Sequence, residues 1–145
     1  MNFHEFEELV NEKKLTNPAW FGLDPDSLAN EQSITCAQKE LNATLPTEYV
    51  QFVTLYGGGY FAFSIVYSLD KDSSFNILEI NRVESRRREN HIIFSESGVG
   101  DYYGFKVKEN QCLPSVYFFD HETEGWQKTK YENMLTYLVE IALSN

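Results

Sequence analysis

Three consecutive glycines, Gly57-Gly58-Gly59, separate two stretches of sequence with different hydrophobic periods, and that switch restricts the fold more than any other feature. Before the glycines, apolar side chains recur at helical spacing. Phe3, Phe6, Leu9 and Val10 share one helical face. Asn2 and Glu5 have the spacing of a capping pair, and Lys13-Lys14 stand where a helix C-terminus favours cations. A loop containing Asn17-Pro18 and Asp24-Pro25 follows. The spacing then predicts a second helix from about Glu31 to Ala43, burying Ile34, Ala37 and Leu41 and followed by a buried Leu45. Pro46 suits the first position of a third helix, in which Tyr49, Phe52, Val53 and Tyr56 repeat until the glycines stop it.

After the glycines the period becomes two. Phe61, Phe63, Ile65 and Tyr67 fall on one face of a strand predicted over Tyr60–Tyr67. Further strands are predicted at Phe75–Ile80, Ile92–Ser95, Tyr102–Val107 and Val116–Asp120, separated by turn residues such as Asp70-Lys71-Asp72-Ser73 and Glu109-Asn110. Most intervals are too short for crossover helices, so the sheet should be largely antiparallel. Tyr131, Met134, Leu135, Leu138, Ile141 and Ala142 mark a closing amphipathic helix. The expected fold is α+β: a mostly antiparallel sheet of about five to six strands, flanked by N-terminal helices and a C-terminal helix. No repeat or linker divides the chain, and residues 1–145 read as one domain.

Charge narrows the function classes. The net charge is −10, with 22 acidic and 12 basic side chains. Nucleic-acid binding rests on cations that neutralise phosphates, so this balance opposes it, and it equally opposes anionic membrane surfaces. A basic protein partner is compatible with it. The excess is uneven: residues 1–72 hold 11 acidic and 4 basic side chains, residues 73–145 hold 11 and 8. No basic-then-apolar leader opens the chain, and no stretch approaches the roughly 18 apolar residues of a membrane span. Cys36 and Cys112 are isolated, as suits a reducing cytoplasm.

A search for chemistry returns little. The histidines are His4, His91 and His121. His121-Glu122 lacks the second histidine of a zincin helix, and three adjacent residues such as Asp120-His121-Glu122 rarely converge on one ion. Gly57-Gly58-Gly59 precedes Tyr60-Phe61, where a phosphate-binding loop needs lysine and a hydroxyl. Ser95 and Ser97 form no nucleophile elbow, and Cys36 reads as an inert mid-helix thiol. Arg82 and Arg86-Arg87-Arg88, bracketed by Glu84 and Glu89, read as a solvated segment with local ion pairs. An enzyme would require Glu96, Asp101 and His121 to gather around a cavity. No catalytic residue, cofactor or metal is expected.

Four segments taken in order resemble the SUKH superfamily, which includes the fungal Smi/Knr cell-wall regulators and many bacterial immunity proteins. Ile34 through Leu45-Pro46-Thr47-Glu48-Tyr49 to Phe52 is similar to the family's opening helix pair. Tyr56-Gly57-Gly58-Gly59 stands at its glycine turn. Gly98-Val99-Gly100-Asp101-Tyr102-Tyr103 resembles its glycine–aspartate motif, and Val116 to Glu122 resembles a strand that ends in an Asp120-His121-Glu122 turn. The order and intervals agree over roughly residues 30 to 143.

The resemblance implies a non-enzymatic cytoplasmic antitoxin that binds a cognate toxin, a nuclease with a basic surface, or alternatively a regulatory adaptor. Contact positions consistent with it are the motif residues Gly58, Gly98, Gly100, Asp101, Tyr102 and Asp120. To these are added the acidic Glu5 and Glu8 of the first helix and Asp70 and Asp72 of the loop. Trp20, Tyr60, Tyr102 and Trp126 are aromatic side chains that could anchor a partner.

Overall fold

A computed structural model describes residues 1–97 and 99–144. Among the described residues, five helices and six strands occur in the order α1 (Phe3–Thr16), a 3-10 turn (Pro18–Phe21), α2 (Glu31–Leu41), α3 (Thr47–Tyr56), β1 (Gly59–Phe61), β2 (Ser64–Val66), α4 (Ile77–Val83), β3 (His91–Glu96), β4 (Tyr102–Lys108), β5 (Gln111–Asp120), β6 (Gly125–Lys128) and α5 (Met134–Ile141). The strands form one sheet in chain order, every neighbouring pair antiparallel. The α+β fold with N-terminal helices and a closing helix is therefore as the sequence implies.

Local sequence explains the helix ends. Asn2 and Glu5 complete a capping box at α1, each side chain meeting the other's backbone N–H at 2.9 Å. Asn30 and Ser33 do the same for α2, and Asn42 ends that helix in the left-handed region at φ 54°. Pro46 precedes α3 as its N-cap, not as its first residue. The buried Phe6, Phe52, Tyr49, Phe94, Phe105 and Tyr137 link α1, α3 and α5 to one face of the sheet through ring contacts of 4.2–6.4 Å. A register shift between Ile93 and Ser95 bulges β3. The bulge turns Ser95 towards α5, where its hydroxyl lies 2.8 Å from that of Tyr137.

Three expectations are corrected. The stretch Tyr60–Tyr67 is not one strand but the hairpin β1–β2, because Ala62 adopts φ 50° and Phe63 sits at the tip. The segment Phe75–Ile80 is not a strand. Asn76 caps α4 there by accepting the N–H groups of Leu78 and Glu79 at 2.9 and 3.2 Å. Finally, β5 begins at Gln111 rather than Val116 and pairs with β6, a strand too short to show a period of its own.

Candidate functional site

The sequence motifs converge where the β3–β4 and β5–β6 turns meet at one end of the sheet. The register of β4 against β5 pairs Tyr102 with Phe119, which brings the preceding Asp101 opposite Asp120 and His121. Asp101 Oδ1 accepts the backbone N–H of His121 at 3.1 Å and lies 2.5 Å from its ring Nδ1. Asp120 Oδ1 accepts the N–H of Glu122 at 2.9 Å, an Asx turn that opens the loop to β6. Gly100 reaches φ 95°, and a Cβ there would lie 3.9 Å from the His121 ring. Gly98 lies outside the described residues.

The Asp101–His121 pair shifts both groups. Hydrogen bonding to His121 holds the Asp101 carboxyl below its ordinary range, and the same bond raises the His121 ring above its ordinary 6.5. The attraction is thus complete between the lowered aspartate pKa and the raised histidine pKa. It is lost as pH rises through the latter or falls through the former. Replacing Asp101 by Asn is expected to bring the His121 titration midpoint back towards 6.5, read by NMR across pH 4–9 on both proteins. An unmoved midpoint would mean that the pair does not form in solution.

Donor atoms of Asp101, Asp120 and His121 lie within 4.8 Å of one another, a span open to a cation. One oxygen of each carboxylate, however, is directed at the turns' own N–H groups or at the imidazole, and the arrangement as it stands is an ion pair bracing two turns. Glu96 does not join it; it accepts the hydroxyl of Tyr67. Tyr102 is half-buried against Phe119 and bonded to Glu84, which together raise its phenol pKa to about 12. The main cavities are lined by other residues.

This end of the sheet is strongly acidic. Glu84, Glu96, Asp101, Asp120, Glu122 and Glu124 cluster there. Arg87 bridges Glu84 and Glu124 at 3.6 and 3.3 Å, while Arg82 pairs with Glu79. Of the four arginines, Arg82 and Arg87 pair with Glu79, Glu84 and Glu124 in place of Glu89, whereas Arg88 donates to the His91 carbonyl at 3.1 Å.

The remaining candidate positions lie elsewhere. Glu5 serves the α1 cap and Glu8 pairs with the exposed His4 at 2.6 Å. Asp70 accepts the N–H groups of Ser27 and Asp72, both at 3.0 Å, which lowers its pKa and ties two loops together; Asp72 is exposed. Gly58 is buried at φ 117°, with Ser68 and the Val66 carbonyl where a side chain would begin. Trp126 lies flat on His91, ring centroids 4.3 Å apart, and its indole N–H donates to the Arg87 carbonyl. Burial lowers the His91 ring pKa to about 4. Cys36 lies mid-helix in α2, with its side chain exposed.

Among the described residues, no helix is long and apolar enough to cross a membrane. No curated protein matches the chain significantly. A family described as SMI1-KNR4 cell-wall, SUKH_6, matches residues 31–138, a span that runs from the start of α2 into α5 and contains the whole sheet. The chain belongs to that family, within the SUKH superfamily.

Proposed function

We propose that this protein is an immunity protein that binds a cognate toxin stoichiometrically and blocks it, the toxin being a nuclease with a basic active-site surface. The reading is non-enzymatic and cytoplasmic. The observation that carries it is family membership across the whole sheet, coupled to the acidic turn cluster at the sheet's end. A nuclease must present cations to phosphates, and an acidic surface on rigid strand ends is complementary to such a cleft. Long-range attraction on a chain of net charge −10 raises the encounter rate before any contact forms.

The test is co-expression with the toxin encoded beside this gene. Growth is expected to be rescued and a 1:1 complex to survive gel filtration. Replacing the exposed Glu122 and Glu124 by Lys is expected to slow association by about tenfold at low salt, with a smaller effect at high salt. An association rate indifferent to salt and to both reversals removes electrostatic steering from the reading, and failure of rescue removes the reading itself. A regulatory adaptor of the Smi/Knr type is the competing class; it would have no neighbouring toxin gene and no rescue phenotype.

A further inference from the structure

An opening lined by aromatic side chains lies at the opposite edge of the sheet from β6, away from the Asp101–His121 turns. The last turn of α1, the 3-10 turn, the loop to Pro25 and the β1–β2 hairpin enclose a cavity of about 560 Å3, a volume typical of binding pockets. Its floor is Phe61, against which Phe21 and Tyr56 pack at 5.8 and 5.5 Å between ring centroids. Trp20 and Phe63 form a wall, their rings 4.9 Å apart. Leu23, Tyr60 and Phe63 at the mouth remain 60%, 42% and 51% exposed. The left-handed Ala62 is what lifts Phe63 to this position, a conformation that L residues adopt at a cost.

Charge identifies the occupant. Lys13 Nζ stands 5.6 Å from the Trp20 ring, and Lys14 Nζ stands 5.5 and 5.6 Å from those of Phe21 and Tyr56. Neither ammonium forms an ion pair among the described residues, although acidic side chains outnumber basic ones by 22 to 12. The aromatic faces hold the two cations at the groove while leaving their other N–H donors open.

We propose that this groove docks a short segment of a partner protein in which a bulky apolar side chain stands beside a carboxylate. The apolar group fills the space between Trp20, Phe61 and Phe63, and the carboxylate meets Lys13 and Lys14. An acidic side chain and a free C-terminus supply the same chemistry. The proposal rests on the reading that the chain acts by binding a protein. It assigns to this edge a desolvated anchor of the kind that charge alone does not supply.

The experiment pans the full-length protein against displayed random peptides in two formats, one with internal and one with free C-terminal sequences. Enriched peptides are expected to place an aromatic or aliphatic residue next to Asp or Glu in the first format, or next to the terminus in the second. Whichever format enriches identifies the source of the carboxylate. A synthetic peptide from that set, added to labelled protein, should perturb NMR signals of Trp20, Leu23 and Phe63. The K13E/K14E variant should weaken its binding by about tenfold or more, whereas K13R/K14R retains it.

Lys13 and Lys14 lie in the last turn of α1 outside the core, so K13R/K14R should melt with the parent. K13E/K14E should stay folded, with a modestly lower melting temperature from the reversed charge at the helix C-terminus. Peptides without the apolar–acidic pairing, shifts centred away from the groove, or unchanged affinity in K13E/K14E would each overturn the proposal. Intact growth rescue by a protein that binds no such peptide overturns the groove and leaves the immunity reading standing. Peptide binding by a protein that fails to rescue does the reverse.

Discussion

Gly57→Ala is expected to destabilise the protein by about 4 kcal/mol, which for a chain of this size lowers the melting temperature by roughly 10–15 °C. Gly57 sits at φ 81° and ψ −60°, and the N–H of Gly58 reaches back to the carbonyl of Tyr56 at 3.0 Å. This is the rare γ-turn whose central residue takes a positive φ, a conformation strained for any residue with a Cβ. A methyl group there would also lie 2.1 Å from the carbonyl oxygen of Asp26, so the loop over residues 24–28 must move.

That loop is tightly held. The Asp26 carboxylate accepts the hydroxyls of Ser68 and Ser73, both at 2.6 Å, and its N–H donates to the Gly58 carbonyl at 2.9 Å. Displacing it breaks charge-assisted bonds as well as backbone ones. Urea melts of parent and variant provide the measurement. A loss below about 1 kcal/mol would show that the turn can relax into an ordinary helix C-cap. The glycine run that divides the sequence is thus a structural device: it reverses the chain at the end of α3 and fixes the start of the sheet.

What could be read in the sequence depended on whether one element carried its own signal. Helices α1, α2, α3 and α5 each bury one face, and their apolar spacing shows it. Strand β4 could be read because Tyr103 and Phe105 face α5 and α3 while Tyr102 and Gly104 face away. Over Phe75–Ile80 the apolar residues fit either period, and the deciding signal was Asn76, which stands three residues before Glu79 as an N-cap does.

The hairpin β1–β2 was hidden because a left-handed alanine has no sequence signature. The candidate site failed to show for a different reason. Asp101 and His121 are 20 residues apart, and only the register of the β4–β5 hairpin brings them together. Spacing could reveal each motif but not their meeting. The aromatic groove likewise draws on α1, the 3-10 turn and the hairpin, so no single window of sequence contains it.

Asn81→Leu is expected to cost about 3–5 kcal/mol, more than Asn81→Ala, although leucine matches the shape of asparagine and is the better helix former. Strand β2 is short, pairing with β3 only through Ile65 and Val66, and the chain then leaves the sheet for α4. On the side away from β4, the N–H and C=O of Ile93 would therefore face the interior with no strand beside them. Asn81 stands in for that strand: its Oδ1 accepts the Ile93 N–H at 2.8 Å, and its Nδ2 donates to the carbonyls of Ile93 and Ile77 at 2.9 and 2.8 Å. The side chain is 2% exposed, so water cannot replace it where leucine fills the space.

Leucine would leave a buried N–H and a buried C=O unpaired, each costing about 1–3 kcal/mol. Alanine opens room in which a water molecule can bridge the same two groups, and this reverses the order that hydrophobicity alone would give. Hydrogen exchange provides a second readout, since the Ile93 amide should lose protection selectively in the leucine variant. Equal stabilities for the two variants, or a leucine variant that matches the parent, would show that α4 does not tether the sheet through this side chain.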